Sequence, residues 1–206
     1  MRLLSLDMST KKTGWAIFDN DKLEVYNLIE ANDKDVSDRI IKMFVQIQEL
    51  IRSNKIDCVV CEDVPVSTHS NLKVGKDLCV LQGCLVALAC LYKLKLYRLK
   101  PTEWRAKVGL NHSIYTCHIC DNKFEDVSAL ESIECKKCGN VSKKEFSKDA
   151  INDRESLKRR AVEKANAEFG LDLKYIKKDN RQNGDDIAEA LLIGCSFLKE
   201  NDVNGK

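Results

Sequence analysis

The chain has 206 residues, of which 44% are hydrophobic and 32% are charged. This length allows one domain with a small additional module, and the apolar content is sufficient for a buried core. Only 9 Gly and 2 Pro are present, which excludes collagen-like and proline-rich sequences. The 34 basic and 32 acidic residues nearly balance at a net charge of +2, so a polyanionic partner would have to bind local basic patches.

Apolar residues recur at strand and helix spacing along most of the chain. Short apolar or alternating runs bounded by polar turns predict strands. Strands are predicted at 2–6, 14–18, 23–29, 57–61 and 94–99. Helices are predicted at 37–51, 71–92, 153–168 and 184–199. Hairpin-linked strands followed by alternating helices and strands indicate a mixed α/β domain, with helices flanking a sheet.

The segment 111–152 breaks this pattern because it is polar and contains two cysteine pairs. We therefore expect a main domain formed by 1–110 and 153–200, an inserted module at 111–152 and a short tail at 201–206.

No segment indicates a signal peptide or a membrane span. Asp7 interrupts the N-terminal apolar run too early for a signal peptide. The longest apolar stretch, 78–92, is about one turn short of a bilayer span and contains Gln82 and Gly83. We expect a cytoplasmic protein, in the host cell cytoplasm if the protein is viral, with no membrane partner.

Four of the ten cysteines form two CxxC pairs in this polar segment, separated by fourteen residues. They are Cys117 with Cys120 and Cys135 with Cys138. In a reducing cytoplasm this spacing favours a zinc ribbon with four cysteine ligands over two disulfides. A third pair, Cys58 with Cys61, lies in a predicted strand, where residues three apart point to opposite faces and cannot share a metal. One structural Zn²⁺ per chain would supply folding energy that a small polar module cannot obtain from burial. The lysines of the ribbon suggest DNA contact; a solvated surface module and a dimer-stabilising module are the alternatives.

Carboxylates stand where an α/β sheet places its binding sites. Asp7 ends the first predicted strand and Glu62 ends the fourth, and strand ends face the crevice of such a sheet. Alternation places Glu62 on the same face as Cys58 and Val60, where a carboxylate is costly unless it is paired or binds a metal. Asp7 alone is equally well explained as a turn cap.

The last predicted helix also begins with carboxylates, although the rest of it is apolar. Asp186 and Glu189 are i,i+3 neighbours, and Asp185 and Glu189 are i,i+4 neighbours. The helix dipole explains acidic residues in the first turn but not Glu189, which lies further in. Carboxylates that converge from separate elements suit two Mg²⁺ ions about 3.5–4 Å apart. Such ions activate a water and stabilise the leaving 3′ oxygen of a phosphodiester.

Four segments, in this order, resemble the RuvC-type Holliday junction resolvases of the RNase H-like superfamily. They are LLSLDMSTKKTGWAIF, VVCED with the following helix LQGCLVALA, YRLKPTEWRAKVG and DDIAEALLIG, of which the third resembles phage members. The similarity extends over roughly 1–110 and 153–199. The resemblance implies an RNase H-like α/β fold with a mixed five-stranded sheet flanked by helices. It further implies a homodimer that cuts four-way DNA with two Mg²⁺ or Mn²⁺ ions per site.

The resemblance also implies roles for individual residues. The implied catalytic metal ligands are Asp7, Glu62, Asp186 and Glu189. Many relatives have D-x-x-D at the last pair, whereas this sequence has Glu189, which reaches further; Asp185 is an alternative ligand. Lys100 lies where family members carry a lysine that contacts the scissile phosphate, although a surface lysine at a strand end explains it as well.

Basic residues on several elements are candidate contacts to DNA phosphates. We expect DNA contacts at Lys73, Lys76, Lys100, Arg105, Arg159 and Arg160. In the loop after Glu62, His69 is the only ring that would stack on bases. Trp104 would also stack on a base, or else belong to the core.

Together these features predict a crossover junction endodeoxyribonuclease, a metal-dependent enzyme that hydrolyses phosphodiester bonds in Holliday junctions and other branched DNA during recombination and repair. Two alternatives remain open: an RNase H-like nuclease of flaps, forks or hybrids, and a non-catalytic zinc-ribbon protein that binds junctions. The apolar helix around Gly83 is either a dimer face or a core helix.

Overall fold

The structure is a computed structural model that describes residues 1–64, 72–127, 130–145, 153–178 and 180–203. Its main sheet has five strands in the order β3-β2-β1-β4-β5. The strands are β1 (Arg2–Asp7), β2 (Lys12–Asp19), β3 (Lys22–Glu30), β4 (Cys58–Glu62) and β5 (Lys95–Leu99). The hairpin strands β1, β2 and β3 are antiparallel, whereas β4 and β5 run parallel to β1. The predicted mixed five-stranded sheet is confirmed. His69, which was expected to stack on bases, lies outside the described residues.

Within the described part of the chain, five helices accompany this sheet. They are α1 (Val36–Asn54), α2 (Leu72–Tyr92), α3 (Pro101–Lys107), α4 (Arg154–Phe169) and α5 (Asp185–Val203). Local sequence sets their ends: the Asp35 side chain accepts hydrogen bonds at the start of α1, and Asp153 does so for α4. Gly170 ends α4 in the left-handed conformation. The short helix α3 begins with a proline, which suits the first helical position, and was not separately predicted.

The sheet separates two hydrophobic cores, one on each face. On one face α1 and α2 cover side chains of the central strands, through Met43 and Ile47 of α1 and Leu81 of α2. On the other face α4 and α5 pack over the sheet, together with Trp104 of α3. The carboxyl ends of β1 and β4 lie at one edge of this layered structure, next to the N-terminus of α5.

The inserted segment forms a second, four-stranded antiparallel sheet in the order β7-β6-β9-β8. Its strands are β6 (Ser113–Cys117), β7 (Lys123–Asp126), β8 (Ser132–Glu134) and β9 (Val141–Glu145). Tyr115 is completely buried and stacks on Phe124 with ring centroids 6.0 Å apart. The core of this sheet is small, which agrees with the expectation that a metal stabilises it.

Among the described residues, one helical stretch, Lys73–Tyr92, is long and apolar enough to cross a membrane by length and composition. One side of this stretch is nevertheless buried against α1 and the sheet, through Leu81, Leu85 and Leu88. A single helix of this kind is weak evidence for a membrane span, because a core helix passes the same test.

Candidate active site

Asp7 and Glu62 end neighbouring strands of the main sheet. Strands β1 and β4 pair in parallel register with Leu6 opposite Cys61, so the next residue of each strand is a carboxylate. Adjacent strands lie about 4.8 Å apart. The side chains of Asp7 and Glu62 belong to the face of the sheet that α4 and α5 cover. In β1 this follows because Leu3 lies on that face and side chains alternate along a strand. The two strand-end carboxylates therefore lie side by side.

Helix α5 brings the remaining carboxylates to this point. The Ser5 hydroxyl donates a 2.6 Å hydrogen bond to the carbonyl oxygen of Ala190, which fixes α5 on β1. On β2, Gly14 pairs with Asp7, and a Cβ atom placed on Gly14 would lie 1.8 Å from the carbonyl oxygen of Asp186. Only a glycine permits this approach. The first turns of α5 therefore direct their acidic side chains at the ends of β1 and β4.

Helix α3 contributes a cation and a hydrogen-bond donor to the cluster. The indole nitrogen of Trp104 donates a 2.7 Å hydrogen bond to Glu62 Oε2. Arg105 Nη2 lies 3.2 Å from the same oxygen and 3.5 Å from Glu189 Oε1. Trp104 is fully buried and orients Glu62, whereas Arg105 joins the strand-end carboxylate to that of α5. The prediction that Trp104 belongs to the core is confirmed, whereas its hydrogen bond to Glu62 was not predicted.

Helix α4 contributes a second cation, Lys158, which was not among the predicted site residues. Its ammonium group forms an ion pair with Asp185 and lies 3.7 Å from Asp186 Oδ1. Burial alone would lower the pKa of Lys158, but the surrounding carboxylates raise it, so the side chain remains charged. A signal was available in the sequence, because Lys158 precedes the buried residues Ala161 and Val162 by three and four positions on α4.

The carboxylates carry more negative charge than their environment compensates. Burial and the nearby carboxylates of Glu189, Asp186 and Glu62 raise the pKa of Asp7 well above its usual value. Burial also raises the pKa of Glu62 and of Asp186, and it raises that of Glu189 to about 7 despite the opposing charges of Lys158 and Arg105. A bound cation would relieve this excess, because it favours the ionised carboxylates.

The chemistry of this cluster fits a hard divalent cation. Five carboxylates surround two basic side chains, so in the fully ionised state that a cation favours, three negative charges are left for Mg²⁺ or Mn²⁺, which prefer oxygen ligands. Glu62 and Glu189 currently bind Arg105, and Asp185 and Asp186 bind Lys158. Divalent ions would have to replace part of these contacts.

The residues predicted to bind DNA lie in several places. Only Arg105 is part of the carboxylate cluster. Lys100 is exposed after β5 and forms an ion pair of 3.1 Å with Glu103. Lys73 and Lys76 are exposed at the start of α2, whereas Arg159 on α4 pairs with Glu155 at 3.6 Å and Arg160 is partly buried.

The four cysteines of the insertion converge on one point. Their sulfur atoms lie within 4.8 Å of one another, and among the described residues this is the only group of potential ligands that close. Cys117 Sγ is 3.5 Å from Cys138 Sγ, and Cys120 Sγ is 3.7 Å from Cys135 Sγ. Four sulfurs at the Zn–S distance of about 2.3 Å would be about 3.8 Å apart. The cysteines therefore fit a tetrahedral Zn²⁺ site.

Both CxxC turns have the same backbone geometry. The amide of Cys117 donates to Asn122 O and that of Cys135 donates to Asn140 O, over 3.0 Å and 2.7 Å. The residue after each pair, Asp121 or Gly139, is left-handed and completes the turn. The Asn140 side chain donates to Cys138 Sγ and lowers the pKa of that thiol, which favours the thiolate that zinc requires.

Comparisons with known proteins identify the fold. RuvC from Thermus thermophilus, solved in complex with a Holliday junction substrate, is 9% identical with a TM-score of 0.60, and the match covers 98% of this chain and 96% of RuvC. The chain has the fold of the RuvC-type resolvases. The resemblance predicted from the sequence is thereby confirmed for the fold.

Two further resolvases have similar structures. The fowlpox virus resolvase, solved with Holliday junction DNA, is 14% identical with a TM-score of 0.50, and the match covers 97% of this chain and 98% of that protein. The yeast mitochondrial Holliday junction resolvase is 11% identical with a TM-score of 0.50, over 96% of this chain and 78% of the yeast protein. No protein-family model and no curated protein matches the chain in sequence.

Proposed function

We propose that the protein is a divalent-metal-dependent endonuclease that hydrolyses phosphodiester bonds in Holliday junctions and other branched DNA. The observation that carries this proposal is the convergence of four carboxylates from three elements, each with a raised pKa. They are Asp7, Glu62, Asp186 and Glu189. The fold adds support, because its structural neighbours include resolvases solved with junction DNA.

These residues divide the chemistry among them. When bound, Mg²⁺ or Mn²⁺ would be held by the four carboxylates or Asp185 and would supply an activated water and charge stabilisation for the leaving oxygen. Trp104 holds Glu62 in place through its indole N–H. Arg105 and Lys158 offer positive charge to the phosphate at the same point. Lys100 follows Leu99, which pairs with Glu62, and would add an accessory phosphate contact.

The test is cleavage of an end-labelled synthetic four-way junction with Mg²⁺. We expect Asp7→Asn to lose at least about a hundredfold in rate, because it removes a charged ligand. Asp38→Asn on the exposed side of α1 is the matched control and should cleave normally. Equal rates for wild type and Asp7→Asn would refute the proposal.

A panel of substrates separates the alternatives. Preferential cleavage of a flap, a fork or an RNA–DNA hybrid would assign the protein to another RNase H-like nuclease activity. Junction binding without cleavage in either Mg²⁺ or Mn²⁺ would leave a non-catalytic junction-binding protein, in which Arg105 and Lys158 remain bound to the carboxylates.

We infer that the insertion 111–152 holds one structural Zn²⁺ through Cys117, Cys120, Cys135 and Cys138. The sulfur separations and the two matching turns support this inference. With four protein ligands the site would be closed and would stabilise the insertion instead of performing chemistry. Elemental analysis of the purified protein should find about one zinc per chain, and a folded protein without zinc would contradict it.

We also infer that α2 forms the interface of a homodimer. From Cys79 onward its outward face contains only small or apolar residues, namely Cys79, Val80, Gly83, Val86, Ala87, Cys90 and Leu91. A four-way junction requires two cuts, whereas one chain contains one carboxylate cluster. Val86→Glu should shift the protein from dimer to monomer in light scattering, while Val45→Glu on the exposed face of α1 should not. A monomeric wild type would exclude the dimer.

A further inference from the structure

A groove of about 1080 Å³ opens beside the carboxylate cluster. Asp185 and Asp186 are among its lining residues. Its walls come from four segments that are distant in sequence: the β1–β2 turn, residues 31–39 before and within α1, the start of α4, and the described residues of 175–178 and 180–183 before α5. We call it the basic groove, because seven cationic side chains besides Lys158 line it. They are Lys11, Lys12, Lys34, Arg39, Arg154, Lys178 and Arg181.

The acidic residues of the groove outside the carboxylate cluster already have partners. Asp33 forms a 2.8 Å ion pair with Lys42, which lies outside the groove lining. Asp153 caps α4, where it accepts hydrogen bonds from two backbone amides. Glu155 pairs with Arg159 at 3.6 Å. Asp33 and Glu155 are therefore paired with cations outside the groove lining, whereas Asp153 keeps its charge but is outnumbered by the cations of the groove.

Two of the seven cations build the groove walls. Lys12 Nζ donates a 2.7 Å hydrogen bond to the carbonyl oxygen of Arg181 and pairs with Glu30 at 3.3 Å, which ties the β1–β2 region to the segment before α5. Arg39 donates to the carbonyl oxygens of Asp33 and Lys34, at 2.8 and 3.0 Å. Both contacts hold the walls in position before any ligand binds.

The other five cations form no ion pair with any residue in the described part of the chain. They are Lys11, Lys34, Arg154, Lys178 and Arg181. Several such cations that line one groove together with Asp185 and Asp186 suit a ligand with a repeating negative charge, one unit of which reaches the carboxylate cluster. A nucleic-acid backbone has this chemistry, and lysine and arginine contacts to phosphates bind it without reading sequence.

We propose that one arm of the DNA leaves the carboxylate cluster along the basic groove, with its phosphates bound by Lys11, Lys34, Arg154, Lys178 and Arg181. This inference rests on the proposed nuclease function and specifies the path of its substrate. The path runs over the β1–β2 turn and the start of α4, and it avoids the exposed start of α2, where Lys73 and Lys76 lie.

The test uses the full chain, a fluorescently labelled synthetic four-way junction and no added divalent cation. Lys11→Gln/Lys34→Gln removes two groove cations, neither of which belongs to the carboxylate site. The matched control, Lys22→Gln/Lys95→Gln, removes two exposed cations at the opposite ends of the strands. Binding is measured by anisotropy between 50 and 300 mM salt, values chosen on the order of the range in which phosphate contacts dominate affinity.

The groove variant should bind more weakly by roughly one to two orders of magnitude at 0.1 M salt, and the slope of log K against log salt should be smaller by about 1.8. The control variant should bind like wild type. A groove variant with the wild-type slope would refute the DNA path, even if wild type cleaves junctions. A reduced slope in a protein that never cleaves would support the path and overturn the nuclease proposal instead.

Discussion

Gly14 offers the sharpest test of how the site is assembled, because a single added methyl group meets backbone atoms there. A Cβ on Gly14 would lie 1.8 Å from the carbonyl oxygen of Asp186, 2.3 Å from its carbonyl carbon and 2.8 Å from the amide nitrogen of Ile187. Contacts to Cβ shorter than 3.0 Å essentially do not occur. In Gly14→Ala the start of α5 must therefore move away from β2 by about 1 Å or more.

That displacement is large on the scale that the proposed chemistry tolerates. Metal–ligand distances are held to about 0.2 Å, and a misplacement of about 1 Å costs on the order of a hundredfold in rate. Overpacking of this kind also destabilises a protein by about 1–3 kcal/mol. We expect Gly14→Ala to fold with a lower melting temperature, to bind Mn²⁺ at least about tenfold more weakly and to lose about a hundredfold in junction cleavage.

Gly194→Ala controls for the loss of stability. Its Cβ would lie 2.4 Å from Cε2 of the Phe18 ring, in the core and more than one helical turn beyond Glu189. It should lower the melting temperature while leaving Mn²⁺ affinity, measured by isothermal titration calorimetry, and junction cleavage near wild type. If Gly14→Ala retained both activities, α5 would not be held against β2 in the way that the site requires.

Three further predictions concern single side chains. Glu189 has a raised pKa, so its contribution to stability is complete below about pH 4.5 and is lost as the pH rises through 7. Without added Mg²⁺, the melting temperature of Glu189→Gln should therefore decrease less between pH 5 and pH 8 than that of the wild type. Trp104→Phe leaves Glu62 without its indole donor and should cost about 1–3 kcal/mol in urea unfolding, with a higher Mg²⁺ requirement for cleavage. Cys135→Ser should abolish zinc binding by elemental analysis, whereas Cys79→Ser on α2 should retain it.

Site residues could be predicted from the sequence where their positions depend on the repeat of a single strand or on the spacing within a short motif. Alternation along β4 placed Glu62 on the same face as Val60, and the structure has both on the side covered by α4 and α5. The spacing of the CxxC pairs likewise predicted the cysteine cluster, because short knuckles bring their own ligands together. Glu62 directly ends a predicted strand, and each cysteine lies within its own CxxC motif, so neither prediction required knowledge of how distant elements pack.

The cations of the site and the basic groove were harder to predict, because they depend on how separate elements meet. The DNA contact expected of Arg105 stays a prediction, and its contacts with Glu62 and Glu189, which depend on how α3 docks, were not predicted. Lys158 lies in a strongly basic stretch, where it resembles its solvent-exposed neighbour Arg159 until the buried face of α4 is known. Lysines of the β1–β2 turn, such as Lys11, line the groove only because four distant segments converge.

The position of the insertion connects these findings. Arg105 lies near the end of α3, directly before the cysteine-containing sheet, and Lys158 lies near the start of α4, directly after it. The chain therefore leaves the carboxylate cluster after Arg105 and returns to it before Lys158. A metal bound by the four cysteines would order the sheet that separates these two points in sequence. The proposed zinc would thus bear on the proposed catalysis through Arg105 and Lys158, because none of the four cysteines belongs to the carboxylate cluster.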